Sequence, residues 1–133
     1  MPSEADVTLE KKYAVRSKNV FLELNIGEGQ FGTSDVFLDG AHLVRASGPL
    51  KVLLGPGGDV AGRTALVRSV VNDVSAATDR MSITYRLNGG AAPAEFIARG
   101  KVDTPGDLLI FEATFALVAE VAARRVLKKG KRA

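Results

Sequence analysis

Residues 80–88 read Arg-Met-Ser-Ile-Thr-Tyr-Arg-Leu-Asn, in which polar and apolar side chains alternate at every step. Successive side chains of an extended chain point to opposite sides, so the four apolar residues of this stretch share one face. The pattern predicts a β-strand that buries one face and exposes the other to water. Residues 7–15 and 20–26 alternate in a similar way, and we predict a strand at each.

Turn sequences separate these runs. Asp39-Gly40 lies between two short apolar runs, and glycine tolerates the positive φ that a tight hairpin needs. An Asn-Gly-Gly turn at residues 88–90 closes the 80–88 run, and Pro105 precedes the last apolar run. Strand-like runs that recur between turns predict an all-β fold. We expect an antiparallel β-sandwich of immunoglobulin-like architecture with about seven to nine short strands.

Two segments leave helix and strand open. Residues 64–74 carry apolar side chains at helical spacing, but most of these are valines, which favour strands, and we predict a strand. Residues 107–129 begin with strand-like alternation and then become alanine-rich and basic. We predict a strand to about Val118, followed by a short basic helix or tail. The expected organisation is one β-sandwich domain over residues 1–120 and a basic C-terminal tail over residues 121–133.

The chain has 133 residues and no cysteine. This length suits one domain with a core of its own. Without cysteine there is no disulfide, no thiolate metal site and no cysteine nucleophile. The polar N-terminus does not resemble a signal peptide, and no apolar run approaches the roughly 20 residues that span a bilayer. We therefore expect a soluble cytoplasmic protein with no membrane span, although a processed secreted form would have the same sequence.

Positive charge is concentrated at the C-terminal end of the sequence. The last ten positions hold six of the 18 basic residues, whereas residues 1–123 hold the other 12 and all 15 acidic residues. Such a cluster can neutralise phosphates, so it suits sequence-independent binding of nucleic acid or of another anionic surface. It also suits a solvated terminus that aids solubility. The candidate nucleic-acid- or anion-binding residues are Arg124, Arg125, Lys128, Lys129, Lys131 and Arg132.

Residues 27–32 (Gly-Glu-Gly-Gln-Phe-Gly) match the pattern G-x-G-x-x-G. The segment resembles the glycine-rich loop of protein kinases, which covers the phosphates of ATP, and the dinucleotide-binding fingerprint. The other kinase motifs are missing. Residues 33–35 lead into residues 36–38, which we interpret as another strand, whereas the fingerprint needs a helix at once. We interpret residues 27–32 as a glycine-rich turn between two strands.

A second glycine-rich segment, residues 57–64, has the spacing of a phosphate-binding P-loop. Arg63 stands where that motif has its lysine, and a planar guanidinium does not freely replace a compact ammonium. The motif also requires a helix to follow, whereas we predict a strand there. We interpret residues 57–64 as a glycine-rich loop. A phosphate- or nucleotide-binding enzyme that uses this loop or residues 27–32 is the third hypothesis for function.

His42 is the only histidine. A serine-histidine-aspartate triad could combine it with Asp39 and either Ser34 or Ser47, but the sequence has no G-x-S-x-G elbow to position a serine. We interpret His42 as an ordinary residue just after a turn. Three pairs of aspartates could hold calcium, but turn and capping roles explain them better. These pairs are Asp35 and Asp39, Asp73 and Asp79, and Asp103 and Asp107.

The sequence shows no recognisable combination of general acids, general bases or metal ligands. We therefore expect that the protein is not an enzyme and binds no metal and no cofactor. The leading hypothesis is a non-catalytic interaction or assembly module, because sheet edges and loops can recruit a protein partner or a second copy. We expect the loops at residues 27–34, 55–63 and 88–93 to form a binding rim. Nucleic-acid binding through residues 121–133 is the alternative.

Overall fold

Residues 5–120 are the part of the chain that the structure, a computed structural model, describes. They form nine β-strands and one helix of four residues. No helix in this range is long and apolar enough to cross a membrane. The helix or tail predicted over residues 121–133 lies outside the described residues. In chain order the elements are β1 (Val7–Val15), β2 (Asn19–Ile26), β3 (Phe31–Leu38), β4 (Ala41–Ser47), β5 (Leu50–Pro56), α1 (Gly57–Val60), β6 (Thr64–Asn72), β7 (Arg80–Asn88), β8 (Ala94–Lys101) and β9 (Leu108–Ala119).

The strands form two sheets that pack face to face, so the predicted all-β sandwich is confirmed. The five-stranded sheet has the order β1-β9-β6-β3-β4, and the four-stranded sheet has the order β5-β2-β7-β8. Within each sheet, odd-numbered strands run one way and even-numbered strands the other. The pair β1–β9 joins two odd-numbered strands and is therefore parallel, which departs from the fully antiparallel sheets expected from the sequence.

Residues 80–88, whose alternation predicts the fold, form β7, and the four apolar side chains of this strand are at most 1 % exposed. The valine-rich segment is also a strand, β6, with Val67 and Val71 fully buried. The last predicted strand, β9, ends at Ala119. Neither α1 nor β8 was among the predicted elements, because α1 has only four residues and Phe96-Ile97 interrupts the alternation in β8.

The core lies between the inner faces of the two sheets. Tyr85 of β7 and Phe115 of β9 meet there edge to face, with ring centroids 5.5 Å apart. The ring centroids of Phe96 on β8 and Phe115 are 5.8 Å apart. Aromatic contacts of this kind add about 0.5–1.5 kcal/mol of stability beyond that of the buried area. Burial raises the pKa of the Tyr85 hydroxyl, because a phenolate is poorly solvated in the core. The aromatic cluster therefore joins both sheets.

Asp39 and Gly40 form the predicted tight turn between β3 and β4. Their φ angles are 48° and 85°, and a two-residue hairpin requires positive values of this kind. Glycine adopts them freely, and aspartate tolerates them better than most residues. The Asp39 carboxylate also accepts a hydrogen bond from the backbone N–H of Thr64 at 2.9 Å, which ties the turn to β6.

Glycines close one end of the sandwich around the β1–β2 connection. The N–H of Gly57 donates to the carbonyl oxygen of Lys18 at 2.8 Å, and a Cβ on Gly57 would lie 1.6 Å from the carbonyl oxygen of Arg16. A Cβ on Gly89 would lie 1.7 Å from the carbonyl oxygen of Asn19. Only glycine permits two backbones to approach so closely. These two glycines therefore serve packing between loops and the β1–β2 connection.

We predict that Gly57→Ala lowers the free energy of unfolding by about 1–3 kcal/mol, the usual effect of overpacking, because its methyl group overlaps the backbone of Arg16. Gly58 is the matched control, because nothing lies within 4 Å of a Cβ built on it. Gly58→Ala should change that free energy by less than about 0.5 kcal/mol. Urea unfolding followed by circular dichroism measures both. Equal midpoints for the two variants would contradict the close approach at Gly57.

Candidate functional site

The G-x-G-x-x-G segment, residues 27–32, connects β2 to β3, as interpreted from the sequence. Its Gln30 side chain is buried and donates from Nε2 to Oδ1 of Asp73 at 2.9 Å. Its Oε1 accepts hydrogen bonds from the N–H groups of Val74 and Ser75 at 2.7 and 2.9 Å. Buried backbone donors need partners, and Gln30 supplies them for the β6–β7 connection. The segment therefore closes one end of the sandwich.

The P-loop-like segment contains α1 and ends where β6 begins. The Gly62 N–H donates to the carbonyl oxygen of Leu117 at 2.7 Å, and Nε of Arg63 donates to the carbonyl oxygen of Asp59 at 2.8 Å. At Thr64 the chain enters a strand, whereas a P-loop leads into a helix whose N-terminus helps to bind the phosphate. The Gly62 N–H and the Arg63 guanidinium, which would face a phosphate in a P-loop, therefore bond to backbone carbonyls of this chain.

The three loops predicted to form a binding rim do not lie at one end of the sandwich. The loops at 55–63 and 88–93 follow β5 and β7, and residues 27–30 follow β2. Because β2 is antiparallel to both β5 and β7, the third loop lies at the opposite end of the sandwich. The expected rim of three loops is therefore wrong. The six candidate anion-binding residues, between positions 124 and 132, lie outside the described residues and stay a prediction.

His42 lies on β4 and does not join the triad considered from the sequence. Its Nε2 lies 2.8 Å from Oδ1 of Asp35, whereas the Asp39 carboxylate accepts its hydrogen bond from β6. Ser34 is fully buried on the opposite face of β3. Ser47 bonds instead to a hydroxyl of the neighbouring strand. Neither serine therefore completes a serine-histidine-aspartate arrangement.

Several of the aspartates considered for calcium accept hydrogen bonds from groups within the fold. Asp107 accepts a hydrogen bond from the N–H of Leu108 at 2.9 Å, a capping contact of the expected kind. Asp73 and Asp79 lie together, and a hydrogen bond between their carboxyl groups raises the pKa of Asp79, because the Asp73 side chain favours a proton on Asp79. Within residues 5–120, no group of three or more histidine, cysteine, aspartate or glutamate side chains could hold a metal ion.

The outer surface of the five-stranded sheet, which we call the five-strand face, carries a row of alternating charges. Successive cross-strand partners form this charge row: Glu112 of β9, Arg68 of β6, Asp35 of β3 and Arg45 of β4. Arg68 hydrogen-bonds to Glu112, and Nε of Arg45 lies 2.8 Å from Oδ1 of Asp35. The hydrogen bond from Arg45 lowers the pKa of Asp35 by stabilising its carboxylate. Asp35 therefore stays negative at neutral pH.

Apolar side chains adjoin the charge row on one side. Val70 and Ile110 are cross-strand partners in the next row, and Phe31 and Leu108 flank Asn72 in the row beyond. The exposed fractions of Phe31, Val70 and Leu108 are 51 %, 36 % and 45 %. Contiguous apolar exposure of this kind marks interaction surfaces more often than scattered exposure does. We call Phe31, Val70, Leu108 and Ile110 the apolar patch.

The outer surface of the four-stranded sheet, the four-strand face, provides an internal comparison. It also has a row of alternating charges, formed by the cross-strand partners Lys51, Glu23, Arg86 and Glu95. Its exposed large apolar residues, Leu53 and Ile97, lie on β5 and β8, which are the two opposite edges of that sheet. On this face Leu53 pairs with Phe21 on one side of the charge row and Ile97 lies on the other side, so its two exposed apolar residues do not adjoin each other.

Beside β1, a depression of about 480 Å³ opens on the surface, lined by Glu10, Lys11, Lys12, Thr114 and Ala116. The Lys11 ammonium group lies 5.8 Å from the ring centre of a phenylalanine on β8, which is a cation–π contact. Lys11 occupies an inward-facing position of the edge strand β1 and so protects that edge from pairing with another strand. The depression itself lies on the outer surface of the five-stranded sheet, where Glu10 pairs with Thr114 and Lys12 with Ala116.

Comparison with known proteins leaves the chain's own geometry as the only guide to its function. The chain matches no protein-family model, no curated protein and no solved structure. The five-strand face, with its charge row and apolar patch, is the candidate functional site.

Sequence reasoning did not find this site. The members of the charge row come from four strands, and only the register of the sheet makes them neighbours. Alternation indicates which side chains face outward, but it does not say which strands pair or in which register. The sequence likewise indicates no role for Gln30, because its bonding partners lie more than 40 residues away.

We predict that Asp79→Asn raises the free energy of unfolding at pH 7. The pKa of Asp79 is raised in the folded state, so this group adds stability when it is protonated and loses that contribution as pH rises through its folded pKa. An asparagine keeps a hydrogen-bond donor beside Asp73 without a second negative charge.

Urea midpoints measured across the acid range test this prediction. The advantage of Asp79→Asn over wild type should be largest at pH 7 and shrink as pH falls through the raised pKa. Asp103→Asn, at an exposed aspartate at the same end of the sandwich, is the control and should show no such trend. An advantage that does not vary with pH would contradict the carboxyl–carboxyl contact.

Proposed function

We propose that this protein is a non-catalytic assembly module whose copies associate through the five-strand face. The observation that carries the proposal is the apolar patch, in which three large side chains stand between 36 % and 51 % exposed on neighbouring strands. Removing apolar surface from water is worth about 25 cal/mol per Å². Covering the patch therefore favours association.

The arrangement around the patch supports a protein partner. Protein interfaces combine a buried apolar centre with polar groups at the rim, and the five-strand face places its charge row directly beside its apolar patch. Charges of both signs occur in the row, so a complementary surface must also carry both signs. The surface therefore selects for charge pattern as well as for apolar area.

Three of the four sheet edges carry features that disfavour pairing with another strand. Lys11 guards β1, and the register shift between Val36 and Phe37 marks an irregularity in the β3–β4 pairing. A second shift, between Val20 and Phe21, disturbs the pairing of β2 with the edge strand β5. Inward charges and β-bulges are common devices that prevent edge strands from recruiting other strands. Association is therefore directed to a sheet face.

We predict that the full chain self-associates reversibly and that the double variant Phe31→Ser, Val70→Thr weakens this association by at least about tenfold, the effect of losing central apolar contacts. The matched control is Leu53→Ser, Ile97→Thr, which removes similarly exposed apolar residues from the four-strand face. Sedimentation equilibrium over a range of concentrations measures the dissociation constant of each.

The control variant should associate as wild type does. If the control dissociates and the patch variant does not, the docking surface is the four-strand face and the proposal is wrong about the site. If wild type stays monomeric at every concentration, the assembly function itself is wrong.

A second candidate function, sequence-independent nucleic-acid binding, is favoured by one observation in the sequence. Six basic residues lie in the last ten positions, whereas the rest of the chain has more acidic than basic residues. Lysine and arginine clusters bind nucleic acid by displacing the counterions of phosphates, and this binding requires no particular base sequence.

We predict that a chain ending at Glu120 loses affinity for duplex DNA. Binding by the full chain should weaken steeply with salt, because each phosphate contact contributes about −0.9 to the slope of log affinity against log salt. Lys11→Ser, Lys12→Ser is the control, since it removes two basic residues from β1 alone. Fluorescence anisotropy with a labelled duplex measures these affinities, and equal binding by the full and shortened chains excludes the tail as the binding element.

A further inference from the structure

The signs of the charge row reverse when the row is read from its other end. From β9 to β4, the order is Glu112, Arg68, Asp35 and Arg45, or negative, positive, negative, positive. A twofold axis that lies in an interface on this face, parallel to the strands and midway between β6 and β3, exchanges the two ends of the row. Each charge then faces the opposite charge of a second copy.

The pairing that this axis creates is specific. Arg68 faces the partner's Asp35, and Arg45 faces the partner's Glu112, and symmetry repeats both pairs. An axis in the same plane that ran perpendicular to the strands and through the row would place each residue of the row opposite its own copy. All four charges of the row would then meet like charges, which opposes association. The row therefore distinguishes these two orientations of the twofold axis.

The same axis also brings apolar side chains together. Leu66 of β6 and Phe37 of β3 are cross-strand partners on either side of the axis, so Leu66 of each copy faces the partner's Phe37. Phe31 lies on β3 close to the axis and would contact the partner's β6 beside Val70. The charge row and the Leu66–Phe37 pair thus favour the same orientation, in which Val70 lies opposite the partner's Thr33 and Phe31 lies opposite the partner's Asn72.

We propose that copies of this chain form a closed twofold dimer through the five-strand face, with the axis parallel to the strands and with Arg45 paired with the partner's Glu112. This inference rests on the proposed assembly function and adds the symmetry, the number of copies and the residues that specify the partner. A contact of this type uses the same patch on both copies and therefore stops at two. The two stacked sheets then pack in the aligned manner common to β-sandwiches.

The size of the face suits a dimer of modest affinity. Under this axis the four strands β9, β6, β3 and β4 overlap with those of the partner. At a spacing of about 4.8 Å, with about five outward residues about 6.8 Å apart on each strand, they cover about 650 Å² per copy. The total of about 1,300 Å² lies at the lower end of specific protein interfaces. We therefore expect a dissociation constant in the micromolar range, about 1–100 μM.

Reversing the charges at the two ends of the row tests the orientation in the full chain. Arg45→Glu and Glu112→Arg each place like charges across the interface twice, and each should raise the dissociation constant at least about tenfold. In an equimolar mixture of these two variants, the altered residues face each other with opposite charge. The mixture should therefore form heterodimers of near wild-type affinity, which sedimentation equilibrium detects.

The four-strand face supplies the matched control. Lys51 on β5 lies opposite Glu23 in a row of the same sign pattern, so Lys51→Glu is chemically equivalent to Arg45→Glu but lies on the other sheet. It should leave the dissociation constant within about twofold. Circular dichroism checks the fold of each variant. Arg45 has a 70 % exposed side chain on an edge strand, so its reversal is decisive by itself if Glu112→Arg does not fold.

Each other outcome overturns a stated part of the inference. If Arg45→Glu dimerises like wild type while Phe31→Ser, Val70→Thr does not, the proposed function stands and the twofold orientation is wrong. If wild type is monomeric, both fail. If only the chain ending at Glu120 dimerises, residues 121–133 occupy the face in the full chain and the inference is wrong.

Discussion

The pairing of β9 with both β1 and β6 holds the five-stranded sheet together. Among the described strands, β9 is the only neighbour of β1, and it joins β1 to the other three strands. Its register aligns Val7 with Phe111, residues from opposite ends of the described chain. Such non-local contacts carry a large loop-closure entropy and are typical of slowly folding β-proteins. The five-strand face therefore exists only when the last strand is in place.

Both outer faces of the sandwich are exposed, and the chain stabilises each with one row of alternating charges. Cross-strand pairs of opposite charge contribute a few tenths of a kcal/mol to about 1 kcal/mol each. These rows explain how polar side chains can be arranged across a sheet without like-charge repulsion. They do not explain the apolar patch, because Phe31 and Leu108 are exposed without covering the core. That unexplained exposure is the physical reason for assigning the patch a role in association.

The two glycine-rich segments show that glycine can be required for close packing of backbone as well as for binding of a phosphate. A phosphate-binding loop needs glycine because the ligand approaches the backbone closely, and Gly57 is needed because the Arg16 carbonyl does so. The shared feature is the missing Cβ. The spacing of glycines thus reports a close approach, and the surrounding fold determines whether a phosphate or another segment of backbone makes it.

The fold class, most of the strands and the β3–β4 turn follow from the amino-acid sequence, because alternation and turn chemistry are local properties of the chain. The sequence also excluded cysteine chemistry, since the chain has no cysteine. Tertiary structure alone decided the parallel β1–β9 pair, the role of Gln30, the partner of His42 and the charge row. Each of these depends on which strands are neighbours and in which register. Period-two alternation is the same for any partner, so a strand's pattern cannot specify its neighbour.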